Sequence, residues 1–290
     1  MTEQAKLAGR FSFPSTDTTV HRMGYGAMQL AGPHVFGPPR NRNEAIAVLR
    51  EAIESGIDHI DTSDFYGPHV VNQIIREALH PYRDNLVIVT KLGAVRDDKG
   101  AWLPALSEQQ LIDGAHDNLR NLGVEALDVV NLRVGGLQGP QEFSIAQQME
   151  TMAELQQKGV VRHIGLSNVT PAQLKEAQGI APIVCIQNMY NVANRADDAF
   201  IDQLAVEGIA YVPFFPLGGF TPLQSTELND VAELLGATPM QTALAWLLHR
   251  ANNILLIPGT SSRNHLRENV AAAASNIPPE LLARLNSIAG

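Results

Sequence analysis

From about residue 20 onward, short apolar runs rich in β-branched residues alternate eight times with amphipathic segments. That alternation leaves the chain very few folds to choose from. The runs are residues 21–25, 57–61, 86–91, 127–132, 161–166, 183–187, 209–214 and 254–258. Between and after them the spacing predicts helices over residues 43–55, 70–79, 107–122, 144–158, 171–178, 197–206, 238–249 and 262–274. Start and stop signals agree: Asn43 can cap a helix, Ser107 precedes Glu108, Pro171 follows Thr170, and Gly56, Gly123, Gly159 and Gly208 stand at helix ends. Strands separated by a helix pair in parallel, and a parallel sheet must be covered. Eight strand–helix units without a composition shift therefore predict an α/β fold of the closed (β/α)8, or TIM barrel, class. A doubly wound open sheet is the alternative, but it would more often carry a glycine fingerprint after its first strand.

Two pieces fall outside the repeat. Phe11-Ser12-Phe13 and Thr18-Thr19-Val20 flank a turn-rich insert, Pro14 to Asp17, and predict a short N-terminal β-hairpin that closes the bottom of the barrel. Residues 93–105 carry glycine, charge and Trp102 with little periodicity, which predicts a loop over the barrel mouth. Trp102 there either packs against a helix or touches a substrate. The 290 residues are 45% hydrophobic, enough for one large core, so a single domain over residues 1–290 is expected. A net charge of −9 without a basic run argues against nucleic acid as a partner. No apolar stretch approaches the ~20 residues that span a bilayer, so no membrane partner is expected. Residues 1–10 lack the apolar core of a signal peptide, and the single Cys185 permits no internal disulfide. The expectation is a cytoplasmic enzyme, monomeric because no exposed apolar face stands out.

In a barrel of this class the functional site lies at the C-terminal ends of the strands. Asp61-Thr62-Ser63-Asp64-Phe65-Tyr66-Gly67 follows the second run and sets an acid and a tyrosine five apart there. Lys91 ends the third run, and Arg133 follows the fourth. A buried acid, a phenol and a lysine make a proton-donating site. The lysine can lower the phenol's pKa from about 10, and the acid can hold the lysine charged. Such a group suits reduction of a carbonyl. A purely structural Asp61–Lys91 pair is the competing reading, but burying two charges is costly without a task. His59, His69, His116, His163 and His249 form no metal-ligand spacing and Cys185 has no cysteine partner, so no metal is expected.

Further pieces accompany this group: Met23-Gly24-Tyr25-Gly26, Gly165-Leu166-Ser167-Asn168, Gln187, Phe214 to Gly218, and Ile257-Pro258-Gly259 through Glu268-Asn269. In this order, over nearly the whole chain, they resemble the aldo-keto reductase family, nearest its bacterial pyridoxal reductase-like members. The resemblance implies a small-molecule aldehyde or ketone as substrate, with pyridoxal the candidate, and NADP(H) as cofactor. Tyr66 matches the general acid, Lys91 the cation beside it, and Asp61 the carboxylate paired with that lysine at the edge of the cofactor site. Gly26, Ala27 and Met28 fall in the strand-one part of the cofactor site. Ser167, Asn168 and Gln187 match the groups that hold the nicotinamide carboxamide, and Phe214 the ring stacked on it. Phe215, Pro216, Leu217 and Gly218 would wrap the pyrophosphate through backbone groups. Gly259, Ser261, His265, Glu268 and Asn269 match positions at the adenosine end, the last two on the adenine. Without the resemblance, Ser167 and Asn168 read as a cap for the next helix, Phe214 as core, and Glu268 and Asn269 as a solvated helix face.

One departure stands out. The family pattern Leu-Asp-x-x-x-x-His ends here in Leu127-Asp128-Val129-Val130-Asn131-Leu132-Arg133. Arginine stays charged and offers five donors, so Arg133 could polarise a carbonyl or hold an anionic oxygen such as a phenolate. The alternative is an Arg133 that points away and pairs with an acid. Residues 260–267 offer hydroxyls with Arg263, His265 and Arg267 near the expected ribose, a setting suited to a 2′-phosphate and hence to NADPH over NADH. Two other functions compete: a barrel lyase forming a Schiff base on Lys91, and a redox-sensing binding protein on the reductase fold.

Overall fold

A computed structural model describes residues 7–136, 139–216, 218 and 225–288 of the chain. Strands β1 (Arg10–Ser12) and β2 (Thr19–His21) pair antiparallel as the predicted hairpin. Then come β3 (Tyr25–Gly26), β4 (His59–Asp61), β5 (Val87–Leu92), a small hairpin of β6 (Ala94–Arg96) and β7 (Trp102–Pro104), and β8 (Leu127–Arg133), β9 (Val161–Ser167), β10 (Ile183–Gln187) and β11 (Ala210–Tyr211). Seven of these form one sheet in the order β11-β10-β9-β8-β5-β4-β3, parallel at every pairing.

The segment after residue 253 closes the sheet into a barrel. It bridges in parallel to both edges, Tyr211↔Ile254 on one side and Met23↔Leu256 and Gly26↔Gly259 on the other. Leu255 N donates to Tyr211 O at 2.9 Å, and Gly24 N donates to Leu256 O at 2.8 Å. Pro258 has no N–H to offer, so the eighth stave is a row of bridges rather than a continuous strand. The buried Arg22 guanidinium pins the seam, donating to the carbonyls of Leu248, Ala251 and Ile254 at 2.9, 2.6 and 3.1 Å.

Val87, Val89, Val129, Cys185, Ala210, Val212, Leu255 and Ile257 pack into a cluster that Phe13 and Val20 of the hairpin join. His21 N also donates to Asp58 Oδ1 at 2.8 Å, one residue before β4 begins. The hairpin thus covers the end where the strands start and leaves the opposite end open. Cys185 is core, as its burial and its 3.2 Å contact with Asn131 Oδ1 require.

The helices are α1 (Arg42–Glu54), α2 (Val70–Leu79), α3 (Glu108–Leu122), α4 (Ala146–Gln157), α5 (Pro171–Gln178), α6 (Asp198–Glu207), α7 (Thr226–Leu235), α8 (Pro239–Arg250), α9 (Arg263–Ala271) and α10 (Pro279–Asn286). Ser107, Thr170 and Thr238 each close a reciprocal capping box with the glutamine three residues on. The predicted cap Asn43 is corrected: Asn41 accepts from Glu44 N, so α1 starts a residue earlier. Among the described residues two helices exceed the expected eight, α7 and α10, and residues 93–105 form the β6–β7 hairpin rather than a loop. Among the described residues no helix is long and apolar enough to cross a membrane.

Candidate active site

Three strands deliver the expected group to the open end. Asp61 ends β4, Lys91 lies one residue from the end of β5, and Arg133 ends β8. Lys91 Nζ donates to Asp61 Oδ1 at 2.6 Å and to Thr62 O at 2.9 Å, while Gln187 Nε2 donates to Asp61 Oδ2 at 2.7 Å. Asp61 and Lys91 are each only 4% exposed, so the pair survives burial because every contact is charge-assisted. Tyr66 sits in the turn between β4 and α2, with Lys91 Nζ 5.2 Å from its ring centroid.

Burial pushes the Tyr66 phenol above its ordinary value; Lys91, and more weakly Arg133, pull down without reversing that. Lys91 lowers the phenol as expected, but burial outweighs it and the net direction is upward. Tyr66 keeps its proton at neutral pH, as a donor requires. Burial alone would depress Lys91, but Asp61 and Tyr66 overcome it and its value rises, so the amine stays cationic.

These groups face a cavity in two connected halves. One is lined by Lys91, Arg133, Phe65 and Trp102, the other by Gly26, Gln29, Asp61, Pro216, Met240, Ile257, Pro258 and Gly259. Met28, Tyr66, Gln187, Phe214 and Phe215 line both. Arg133 does not point away to an acid. Its Nη1 donates to Ser167 Oγ at 3.4 Å, its guanidinium lies 5.6 Å from the Phe214 ring centroid, and among the described residues no carboxylate pairs with it. Burial lowers its pKa, opposed by Tyr66. Among the described residues that line it, one acid and two cations leave the cavity with an uncompensated positive charge.

Ser167 and Asn168 are not the helix cap, which is Thr170. Asn168 has φ 63, and its Nδ2 donates to the carbonyls of Val134, Gly136 and Gly139 at 3.0, 2.8 and 3.1 Å. Its Oδ1 is a buried acceptor without a partner among the described residues. Phe214 N donates to Asn188 O at 2.9 Å, and its ring meets Phe215 edge-on. Pro216 and Gly218 follow; Leu217 lies outside the described residues. Gly26 and Gly259 sit where the seam is tightest: a Cβ on Gly26 would lie 2.3 Å from Ile257 O, and one on Gly259 would lie 2.8 Å from Gly26 O.

Ala27 is buried and donates to Asp61 O at 2.8 Å, fixing Met28 over the cavity. Ser261 lines an adjoining cavity with Gln29, Arg40 and Glu44. His265 and Glu268 are exposed on α9, and Asn269 is buried. Arg263 and Arg267 are not free, pairing with Glu44 and Glu51 of α1 at 3.2 and 2.5 Å. Sequence reasoning missed Gln29, Met240 and Phe65 on the cavity wall. Phe65 was within reach, being next to Tyr66 at a strand end.

The chain matches the model of the aldo/keto reductase family over residues 22–289. It is 66% identical over 272 residues to pyridoxine 4-dehydrogenase of Escherichia coli (strain K12), covering 93% of this chain and 95% of that protein. It is 36% identical over 271 residues to an uncharacterized oxidoreductase of Schizosaccharomyces pombe, covering 93% of this chain and 87% of that one. Among solved structures, a thermostable aldo-keto reductase in complex with the inhibitor epalrestat superposes with a TM-score of 0.82 at 27% identity, over 97% of this chain and 99% of that one.

Proposed function

The chain belongs to the aldo/keto reductase family, and we propose that within it this protein reduces the aldehyde of pyridoxal to the alcohol with NADPH. The observation that carries this reading is the buried Asp61–Lys91–Tyr66 group opening onto a cavity whose extra charge is Arg133. The residues present fit the cofactor. Among the described residues Asn168 Oδ1 is a buried acceptor without a partner, suited to a carboxamide N–H, and Gly26 and Gly259 line the cavity beside Tyr66 and Phe214 without a side chain of their own. We assign Ser167, Asn168 and Gln187 to the carboxamide, Phe214 to the nicotinamide face, and Phe215 to Gly218 to the pyrophosphate. Gly259, Ser261, His265, Glu268 and Asn269 take the adenosine end.

When bound, NADPH supplies the hydride. Tyr66 gives its proton to the carbonyl oxygen, and Lys91, held charged by Asp61, stabilises the phenolate left behind. Arg133 meets the anionic ring oxygen beside the aldehyde, which a neutral donor would hold less well. A Schiff-base lyase loses its nucleophile, since Lys91 is locked as an ammonium. A sensor without turnover has no use for an assembled proton donor. The residues act as one barrel, which we place in the cytoplasm as a monomer; sedimentation at working concentration tests the last point. NADPH oxidation measured against a panel of aldehydes tests the function. Pyridoxal should lead it, and absence of turnover with every aldehyde rejects the proposal.

Cofactor choice follows from the Arg263–Glu44 pair. Exposed ion pairs are worth about 0–1 kcal/mol, so a phosphate dianion can take Arg263 from Glu44. NADPH should bind more tightly than NADH, by a margin that shrinks with added salt. Arg263→Ala should weaken NADPH about three- to tenfold, the scale of an exposed charged contact, and leave NADH unchanged. Equal dissociation constants for both cofactors at low salt would refute this.

A further inference from the structure

Arg96, in β6, makes contacts that the proton-donating group does not explain. Its guanidinium lies 4.0 Å from the Trp102 ring centroid and 5.3 Å from that of Phe36. It donates to Val35 O at 2.7 Å and His34 O at 3.2 Å, and its Nε and Nη2 both donate to Gly100 O, at 3.0 and 2.7 Å. One side chain therefore fastens the β6–β7 hairpin to the loop at residues 33–36.

Both pieces lead to Tyr66. Trp102 meets Phe65 edge-on at 5.6 Å, and Phe65 meets Tyr66 edge-on at 5.5 Å. Trp102 and Phe65 form one aromatic side of the cavity half that holds Lys91 and Arg133, which Tyr66, Phe214 and Phe215 also line. The loop is bound to the tyrosine's own turn: Gly67 N donates to Val35 O at 3.2 Å, and Gly37 N donates to Gly67 O at 3.0 Å. His34 and Val35 have φ of 60° and 58°, a region that a β-branched residue almost never enters. Such a backbone persists only where its surroundings over-determine it. Two of the bonds that do so are those from Arg96 to these two carbonyls.

We infer that Arg96 is a positioning residue for substrate choice: by locking the strained loop at residues 33–36 to Trp102, it sets the aromatic wall against which a flat aldehyde ring lies. The inference rests on the proposed reading of this cavity as the substrate site. It predicts a preference for aromatic over small aliphatic aldehydes that depends on a side chain touching neither substrate nor cofactor.

The test compares Arg96→Met with wild type on pyridoxal, benzaldehyde and propanal. KM for both aromatic aldehydes should rise about tenfold, the scale of a lost cation–π contact with its hydrogen bonds. The propanal constants and the NADPH dissociation constant should move less than about twofold. A second readout needs no substrate. Trp246 is fully buried, so acrylamide quenching of the two-tryptophan emission reports Trp102, and it should increase in the variant. If Arg96→Met does not fold, Arg96→Lys keeps the charge but not the fork and should give the same pattern, about two- to threefold. An unchanged aromatic-to-aliphatic ratio with unchanged quenching overturns the inference, as does an equal fall in kcat for all three aldehydes. Failure of wild type on pyridoxal alone would strike the substrate proposal, while the benzaldehyde-to-propanal ratio would still judge Arg96.

Discussion

Tyr66→Phe should bind NADPH as wild type does and lose about 10²–10⁴-fold in kcat for pyridoxal reduction, the range for removing a general acid. The ring keeps its edge contact with Phe65 and its place in the cavity wall, so only the hydroxyl is lost. The pH profile supports the same assignment from another side. Because burial raises the Tyr66 phenol, its proton stays on through neutral pH, and reduction should fall only on the alkaline side of an ordinary phenol's range. Lys91 is the strongest influence pulling that phenol down. Lys91→Met should therefore move the alkaline limb further up while also lowering the rate, because the product phenolate loses its cation. Near-normal turnover in Tyr66→Phe, or an alkaline limb that moves down in Lys91→Met, would remove Tyr66 from the reaction.

Arg133 carries the second large effect. With no carboxylate paired to it among the described residues, its charge is available to a substrate anion. A charge-assisted hydrogen bond is worth roughly 1.5–3 kcal/mol, or about ten- to a hundredfold in selectivity. Wild type should prefer pyridoxal over a neutral aromatic aldehyde of similar size by that factor in kcat/KM. Arg133→His should narrow the gap, because a neutral imidazole donates to a carbonyl but holds an anion poorly. Arg133→Met should lose pyridoxal activity far more than activity on the neutral aldehyde. An identical substrate ratio in all three proteins would make Arg133 a structural residue.

What the sequence made legible was periodic or local. The strand–helix alternation announces the barrel because each unit repeats the same burial problem. Ser107 and Thr170 announce helix starts because a cap acts within three residues. Asp61, Lys91 and Arg133 could be placed together because each lies at or within one residue of a strand's end and barrel strands end on one face. The eighth stave reads as an apolar run, but Pro258 hides that it pairs by bridges. Helix α7 carries its own cap, Ser225, and an apolar face of Leu228, Val231 and Ala232, but the eightfold count left it no place. Contacts between distant segments left no mark at all. Arg263 meets Glu44 across 219 positions, and Arg96 reaches Val35 across 61, so neither the partner of the first nor the strained loop held by the second has any trace in local pattern. The direction of the Tyr66 shift was also beyond reach, since it depends on how deeply the phenol is buried relative to the distance of Lys91.

The measurement closest to the centre of this account is a single turnover of pyridoxal with NADPH carrying deuterium at the transferable position, followed by mass analysis of the vitamer formed. Direct hydride transfer in a cavity whose own residues supply only the proton predicts pyridoxine with one deuterium on the new alcohol carbon, in amounts equal to the NADPH consumed. Pyridoxal recovered unreduced, or held on Lys91 as an adduct that borohydride traps, would contradict it.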